Sequence, residues 1–353
     1  MIGSTETPRV VFLYSELSYY FLSGLNSLNP EEVEVSVVHW DVNPDAPFQF
    51  RFPEHVDFWK RSEHSDEQLM EKLEALQPEL IFCAGWLDKG YLKLIRKLKG
   101  PKKILTMDNQ WTGSMRQWIG ALSFRFTFLS DFDGIWVQGE RQKRFALKLG
   151  FKEHNVHMNF YSADLNLFNE VYRSNLAAKT QNYPHTFLYL GRYAPEKGID
   201  DLIEAFEEWK EKSSNDWKLI CVGTGPLRSK YDNTEWVEHR GFIQPYDLGT
   251  VIRDAGVFVL PSTFEPWGLV VHECAASGLP IISSNKVGSS DLFVGPENGK
   301  VIPSRDRSKL VEALDEMAGK TDDELLEMSR QSHLAGQLIT PKMWAEKLIS
   351  FLN

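Results

Sequence analysis

The stretch AGVFVLPSTFEPWGLVVHECAASGLPII, residues 255–282, decides the fold. It opens on an apolar run at 256–260 and breaks at Pro261 into a loop carrying Glu265. Pro266 suits the first turn of a helix, so residues 267–277 read as a helix before a second apolar run at 280–284. Buried parallel strands carry apolar residues on both faces, so strand, helix and strand in this order form a parallel β-α-β unit. The unit holds two glutamates, Glu265 and Glu273, and their spacing bears on function. If both were helical they would lie about 12 Å apart along the axis. An acid–base pair across a glycosidic bond needs about 5–9.5 Å. One loop carboxylate and one helical carboxylate suit two hooks on a long ligand instead. The backbone N–H groups of Trp267, Gly268 and Leu269 would face an anion lying between them. The alternative is a helix-start acid and a solvated helix acid.

The same alternation extends in both directions. In the second half, strands are expected at 186–190, 218–223, 237–241 and 299–302 besides the two in the opening unit, with helices at 200–212, 246–254 and 306–318. In the first half, strands are expected at 9–15, 33–40, 79–85, 102–107, 134–138 and 156–160. Helical patterns such as DEQLMEKLEAL and ERQKRFALKLG lie between them. This predicts two doubly wound α/β domains, 1–168 and 185–336, joined by a weakly periodic linker at 169–184. A terminal amphipathic helix at 337–353 presents Met343, Trp344, Leu348 and Phe351, and it either stands free or straps back onto the first domain. Ligands of such sheets bind outside the carboxyl ends of the strands.

The whole chain has 353 residues, 42% hydrophobic and 25% charged, with a formal charge of −10. That composition is globular, and the acidity argues against nucleic acid as a partner. No apolar run is long enough to span a bilayer, and the N-terminus lacks a secretory pattern. Cys83, Cys221 and Cys274 are scattered in apolar surroundings without zinc spacing, which predicts a reduced, cytoplasmic protein. The charge is uneven. Residues 1–88 hold 5 Lys/Arg against 16 Asp/Glu, and residues 89–152 hold 14 against 4. The basic segment is either a set of solvated helix faces or a face turned toward an anionic membrane or acceptor. Within it, TGSMRQWIGALSFRFTFLS (112–130) is either a buried helix–strand segment or an apolar surface that dips into a membrane.

Three further segments fall at expected strand ends. LGRYAPEKGID (190–200) puts Gly191, Arg192 and Lys197 on a Pro/Gly turn. A planar fork of donors and a mobile point charge suit a diphosphate, and pairing of Arg192 with Asp200 or Asp201 is the plainer reading. CVGTGPL (221–227) is a turn whose Gly223 lets backbone approach a ligand, but it departs from the dinucleotide fingerprint. HRGFIQPYDL (239–248) offers Phe242 and Ile243 either as a slot for a flat base or as core.

In this order and spacing the four segments resemble the donor domain of family 4 retaining glycosyltransferases, the glycosyl transferases group 1. EPWGLVVHE is similar to that family's Glu-x7-Glu signature, and GRYAPEKG, VGTGPL, GFI and ENGKVIP frame it across about 186–320. The first domain matches more loosely, through IWVQGERQKRFALKLGF and DLNLF. The resemblance implies the GT-B fold, two Rossmann-like domains facing each other across a cleft. It also implies transfer from a nucleotide-diphosphate sugar, UDP-sugar first and GDP-sugar next, to a glycan, lipid-linked or small-molecule hydroxyl, without a metal or other cofactor. Arg192 and Lys197 would hold the diphosphate, Glu273 the ribose, and Glu265 the donor sugar, with the amides at 267–269 in support. The backbone at Phe242 and Ile243 would frame the base. The work would be done in the cytoplasm, with peripheral contact at the inner membrane face as one option, in cell-surface polysaccharide synthesis.

The sequence departs from that pattern in the first domain. YSELSYYFLSG has no glycine before Gly24 where a glycine-rich loop is usual, and MDNQW puts Asp108 where many members carry histidine. Asp108 is expected to line the reaction centre. DFD at 131–133 resembles a metal site of another glycosyltransferase fold, against a plain reading as surface acids. A nucleotide-sugar epimerase-like enzyme and a non-catalytic sugar-nucleotide-binding subunit are the competing functions.

Overall fold

The computed structural model describes residues 7–43, 47–231 and 234–353. The chain divides into two units. The first runs to Ser162 and takes in Pro341–Asn353, and the second is Ala163–Thr340.

The first unit is built on a seven-stranded sheet of β1 (Arg9–Leu13), β2 (Glu34–His39), β3 (Val56–Lys60), β4 (Leu80–Ala84), β5 (Lys102–Met107), β6 (Gly134–Val137) and β7 (Val156–His157). The strand order is β3-β2-β1-β4-β5-β6-β7, and every pairing is parallel. Alternate residues of a strand face opposite sides, and this sheet has a core on each. Val11, Leu13, Ile81, Cys83 and Leu105 face one. Val10, Phe12, Phe82, Ile104 and Trp136 face the other.

The terminal helix Pro341–Ser350 fills that second core. Trp344 lies against Trp136 with ring centroids 5.4 Å apart, and Leu348 and Phe351 are buried beside it. Met343, read as a fourth apolar contact, is instead 42% exposed.

The second unit repeats the scheme with β8 (Thr186–Leu190), β9 (Lys218–Val222), β10 (Val237–Arg240), β11 (Val257–Leu260), β12 (Ile281–Ser284) and β13 (Gly299–Ile302). Their order is β10-β9-β8-β11-β12-β13, again all parallel. Both sheets therefore have the Rossmann order, which reverses between β1 and β4 and between β8 and β11. Crevices for ligands open at such reversals.

Three elements differ from the sequence reading. The segment at 169–184 lies mostly in a helix, Leu165–Gln181, packed within the second unit. Its buried stripe is Leu165, Phe168, Val171, Asn175 and Lys179, so two polar residues hide the helical period. The Lys179 ammonium donates to the Ala255 carbonyl at 2.7 Å, and burial pushes its pKa down to about 7. Residues 56–60 form an edge strand that half-exposed VDFWK did not announce. The segment 112–130 is not a buried helix–strand: it folds as a helix, Met115–Thr127, of which only Ala121 and Phe124 are buried.

The three cysteines are free and buried. No helix among the described residues is long and apolar enough to cross a membrane. The acids of DFD serve the surface: Asp131 pairs with Arg96 at 2.8 Å, and Asp133 accepts from the Lys103 amide at 2.8 Å.

Candidate active site

In the second unit, the reversal between β8 and β11 is where the sequence motifs meet. Gly191 and Arg192 leave the end of β8, and Lys197 closes a 3-10 turn, Pro195–Lys197, ahead of the helix Ile199–Lys212. Pro261 to Glu265 leave the end of β11. The two loops are laced together by the Glu196 carbonyl, which accepts from the Thr263 amide at 2.8 Å and the Phe264 amide at 3.2 Å. Glu265 is fixed further by its amide on the Lys286 carbonyl and its carbonyl under the Gly288 amide.

This lacing brings Lys197 Nζ onto the Glu265 carboxylate in a direct ion pair. Only 20% of the lysine side chain and 12% of the glutamate side chain are exposed. The pair is therefore partly desolvated, and each charge depends on the other. Arg192 is the exposed cation, and it pairs with Glu196 at 2.8 Å rather than with Asp200 or Asp201. Asp200 is taken up by Lys230 and Tyr231.

Past Glu265, Trp267 is buried and Gly268 turns the chain with φ +82° into the helix Leu269–Ala276. A Cβ at Gly268 would stand 2.8 Å from the Glu265 Cγ, so this turn and the carboxylate need a bare backbone. The amides of Trp267, Gly268 and Leu269 have no acceptor among the described residues. The helix starts two residues later than the sequence suggested, which leaves these amides at its mouth.

Glu273 stands in the second turn of that helix and is partly buried. No described residue hydrogen-bonds or ion-pairs with its side chain. Burial, and then the neighbouring Asp164 carboxylate, push its pKa up to about 7. Asp164 caps the helix Leu165–Gln181 by accepting from the Leu167 amide at 3.2 Å. The sequence reading had Asp164 only within DLNLF; a Asp before a helix start is a cap signal, and its place beside Glu273 is a tertiary fact.

The glycine turn after β9 lies on the same edge. Gly223 has φ +135°, and a Cβ there would stand 2.0 Å from the Gly191 carbonyl oxygen. The loops after β8 and β9 touch through backbone, which no side chain would permit. Phe242 and Ile243 follow β10 and are half-exposed rather than core. Arg228, one residue past VGTGPL and not singled out from the sequence, has its guanidinium 5.8 Å from the Tyr193 ring centroid. The second unit thus gathers Gly191, Arg192, Lys197, Gly223, Phe242, Ile243, Glu265, Trp267, Gly268, Leu269 and Glu273 along the carboxyl ends of β8 to β11. Asp108 belongs to the first unit. It follows β5, its carbonyl accepts from Gln142 at 3.2 Å, and its charge adds to burial, and then to Tyr20, in pushing the Tyr14 and Tyr161 hydroxyl pKa values up.

Residues 173–332 match the family model described as Glycosyl transferases group 1. An uncharacterized glycosyltransferase of Methanocaldococcus jannaschii is 26% identical over 299 residues, 77% of this chain and 76% of that protein. Several other curated relatives are matched over only 18–35% of their length. Among solved structures, sucrose-phosphate synthase from Thermosynechococcus elongatus superposes with a TM-score of 0.75, covering 98% of each chain at 17% identity. The Anabaena protein HepE in complex with UDP and glucose superposes with a TM-score of 0.69, covering 98% of this chain and 99% of that one at 14% identity. The protein is therefore a glycosyltransferase of GT-B fold whose residues 173–332 match the group 1 glycosyltransferase model.

Proposed function

We propose that this enzyme is a family 4 retaining glycosyltransferase that uses a nucleotide-diphosphate sugar, UDP-sugar before GDP-sugar, without a metal or other cofactor. The observation that carries the reading is the half-desolvated Lys197–Glu265 pair at the β8/β11 reversal, flanked by Arg192 and by the three open amides at 267–269. In the free enzyme each cation is held by an acid, so the site is electrically balanced and its lysine is already positioned. An arriving diphosphate takes over Lys197 and Arg192, which releases Glu265 toward hydroxyls of the donor sugar. Glu273, which has no hydrogen-bond or ion-pair partner among the described residues, accepts from the ribose hydroxyls. The backbone at Phe242 and Ile243 frames the base. The UDP and glucose named for the HepE structure support UDP as the first choice.

In the reaction the bond between the anomeric carbon and the diphosphate oxygen breaks. A bond to the acceptor oxygen forms on the same face, and the acceptor's proton passes to the departing diphosphate. Lys197, Arg192 and the amides stabilise the charge that grows on that diphosphate. Asp108 is assigned to a sugar hydroxyl at the reaction centre. The acceptor is a hydroxyl of a glycan, a lipid-linked sugar or a small molecule, and the setting is cell-surface polysaccharide synthesis in the cytoplasm or at the inner membrane face.

The test is a panel of UDP-, GDP- and ADP-sugars incubated with the protein, with release of nucleoside diphosphate as the readout. Slow release to water from one donor class is expected. Neither release nor binding with any donor would refute the proposal, and binding without release would point to a sugar-nucleotide-binding subunit.

A further inference from the structure

The helix Met115–Thr127 has two apolar faces, and the protein covers only one. Inward, Ala121 and Phe124 are each 3% exposed, and the Phe124 ring lies 5.3 Å from Trp86 and 6.0 Å from Phe151. The start of the helix is pinned. The Ser114 hydroxyl accepts from the Gln117 amide, and the Gln117 side chain donates to the Gln110 carbonyl at 2.8 Å and accepts from the Thr112 amide. Outward, Met115 is 75% exposed, Trp118 50%, Ile119 66%, Leu122 59% and Phe126 84%. At about 100° per residue these five fall in one sector roughly 100° wide, on the side away from Ala121 and Phe124. Arg116 borders the sector on one side and Arg125 on the other, and the Lys148 ammonium sits 5.1 Å from the Trp118 ring centroid.

Soluble monomers rarely leave so continuous an apolar stripe in water. We propose that this helix is a membrane-contact element that lies in the plane of an anionic bilayer surface, with the 115–126 stripe among the acyl chains and Arg116, Arg125 and Lys148 at the headgroups. Charge selects this occupant. The chain as a whole carries −10, yet the segment 89–152 that contains the helix holds 14 Lys/Arg against 4 Asp/Glu. Apolar residues edged by arginine, with a tryptophan at the border, are what a lipid interface accommodates. The proposal deepens the acceptor half of the functional reading, since an enzyme held there meets acceptors at the membrane. It rests on the first unit alone and not on any donor chemistry.

The experiment is co-sedimentation of the full chain with vesicles of phosphatidylcholine, with and without about one third phosphatidylglycerol. Retention on the anionic vesicles, weakened by salt, is expected. The double variant Ile119→Asn/Phe126→Ser should bind at least about tenfold more weakly, and Arg116→Gln about fivefold more weakly. These side chains are exposed, so melting temperature and UDP affinity in the absence of vesicles should match the parent. Failure of the donor reading would appear in that UDP titration and leave the vesicle result intact. Absence of binding to anionic vesicles, or equal binding by the double variant, would overturn the proposal. So would parent self-association in sedimentation velocity that the double variant abolishes, because the stripe would then be an interface between copies.

Discussion

Replacing Glu273 with glutamine should stabilise the enzyme and damage its site at once. The Glu273 carboxyl has a pKa of about 7 in the folded chain against an ordinary 4.5, chiefly through burial and then through Asp164. Between those values the native state holds a proton that the unfolded chain has released, so stability falls as pH rises from 4.5 to 7. The gap corresponds to about 3 kcal/mol as an upper bound, and water reaching the partly accessible side chain reduces it. Glutamine has no such penalty. The variant should melt with the parent near pH 4.5 and up to roughly 6–12 °C above it at about pH 8.5.

His272 and His157, both with pKa lowered to about 4 by burial, titrate in the opposite sense over an overlapping window. The difference between variant and parent, not the parent's own profile, therefore isolates Glu273. In the parent, nucleotide affinity should rise with pH through about 7 as the carboxylate ionises. In the variant it should be flat and about tenfold weaker at high pH. Thermal melts and UDP titrations at the two pH values make the assay. Coincident melting of variant and parent at high pH would refute the desolvation argument, and unchanged affinity would refute the ribose role.

Two further substitutions test the framework. Gly223→Ala puts a Cβ 2.0 Å from the Gly191 oxygen at a φ of +135°, so it should cost about 3 kcal/mol in denaturant unfolding. His272 accepts from the Ala163 amide through Nδ1 at 3.1 Å and donates from Nε2 to the Gly336 carbonyl at 2.8 Å, close to both places where the chain passes between units. His272→Phe keeps the stack on Phe293 but orphans both groups, so it should cost about 3 kcal/mol at neutral pH. The parent's advantage is present above pH 6.5 and should be lost as pH falls toward 4, because only the parent must take up a proton there.

Both sheets were legible where strands are buried on both faces, as in β8 and β11, because such strands are unbroken apolar words. Legibility failed where polarity and burial part company. Asn175 and Lys179 break the stripe of the helix at 165–181, although both are buried and the Lys179 side chain donates to the Ala255 carbonyl. The edge strand at 56–60 is half-exposed and mixes Asp57 and Lys60 with aromatics. The helix at 115–127 carries apolar residues all round, which reads equally as core or as surface.

At the site, the motifs placed Lys197 and Glu265 on separate loops. Their pairing rests on the Glu196 carbonyl joining those loops, which is backbone chemistry that side-chain patterns do not record. The exposure of Phe242 and Ile243 likewise depends on β10 being an edge strand of its sheet.

The most direct measurement is calorimetric titration of UDP into the parent and into Lys197→Met, with chelator present throughout. Binding by the parent is expected, weakened about 10- to 100-fold in the variant through loss of one charge-assisted contact to the diphosphate. Equal affinity in the two proteins, or binding by the parent only when a divalent metal is supplied, would contradict a metal-independent diphosphate site at Lys197.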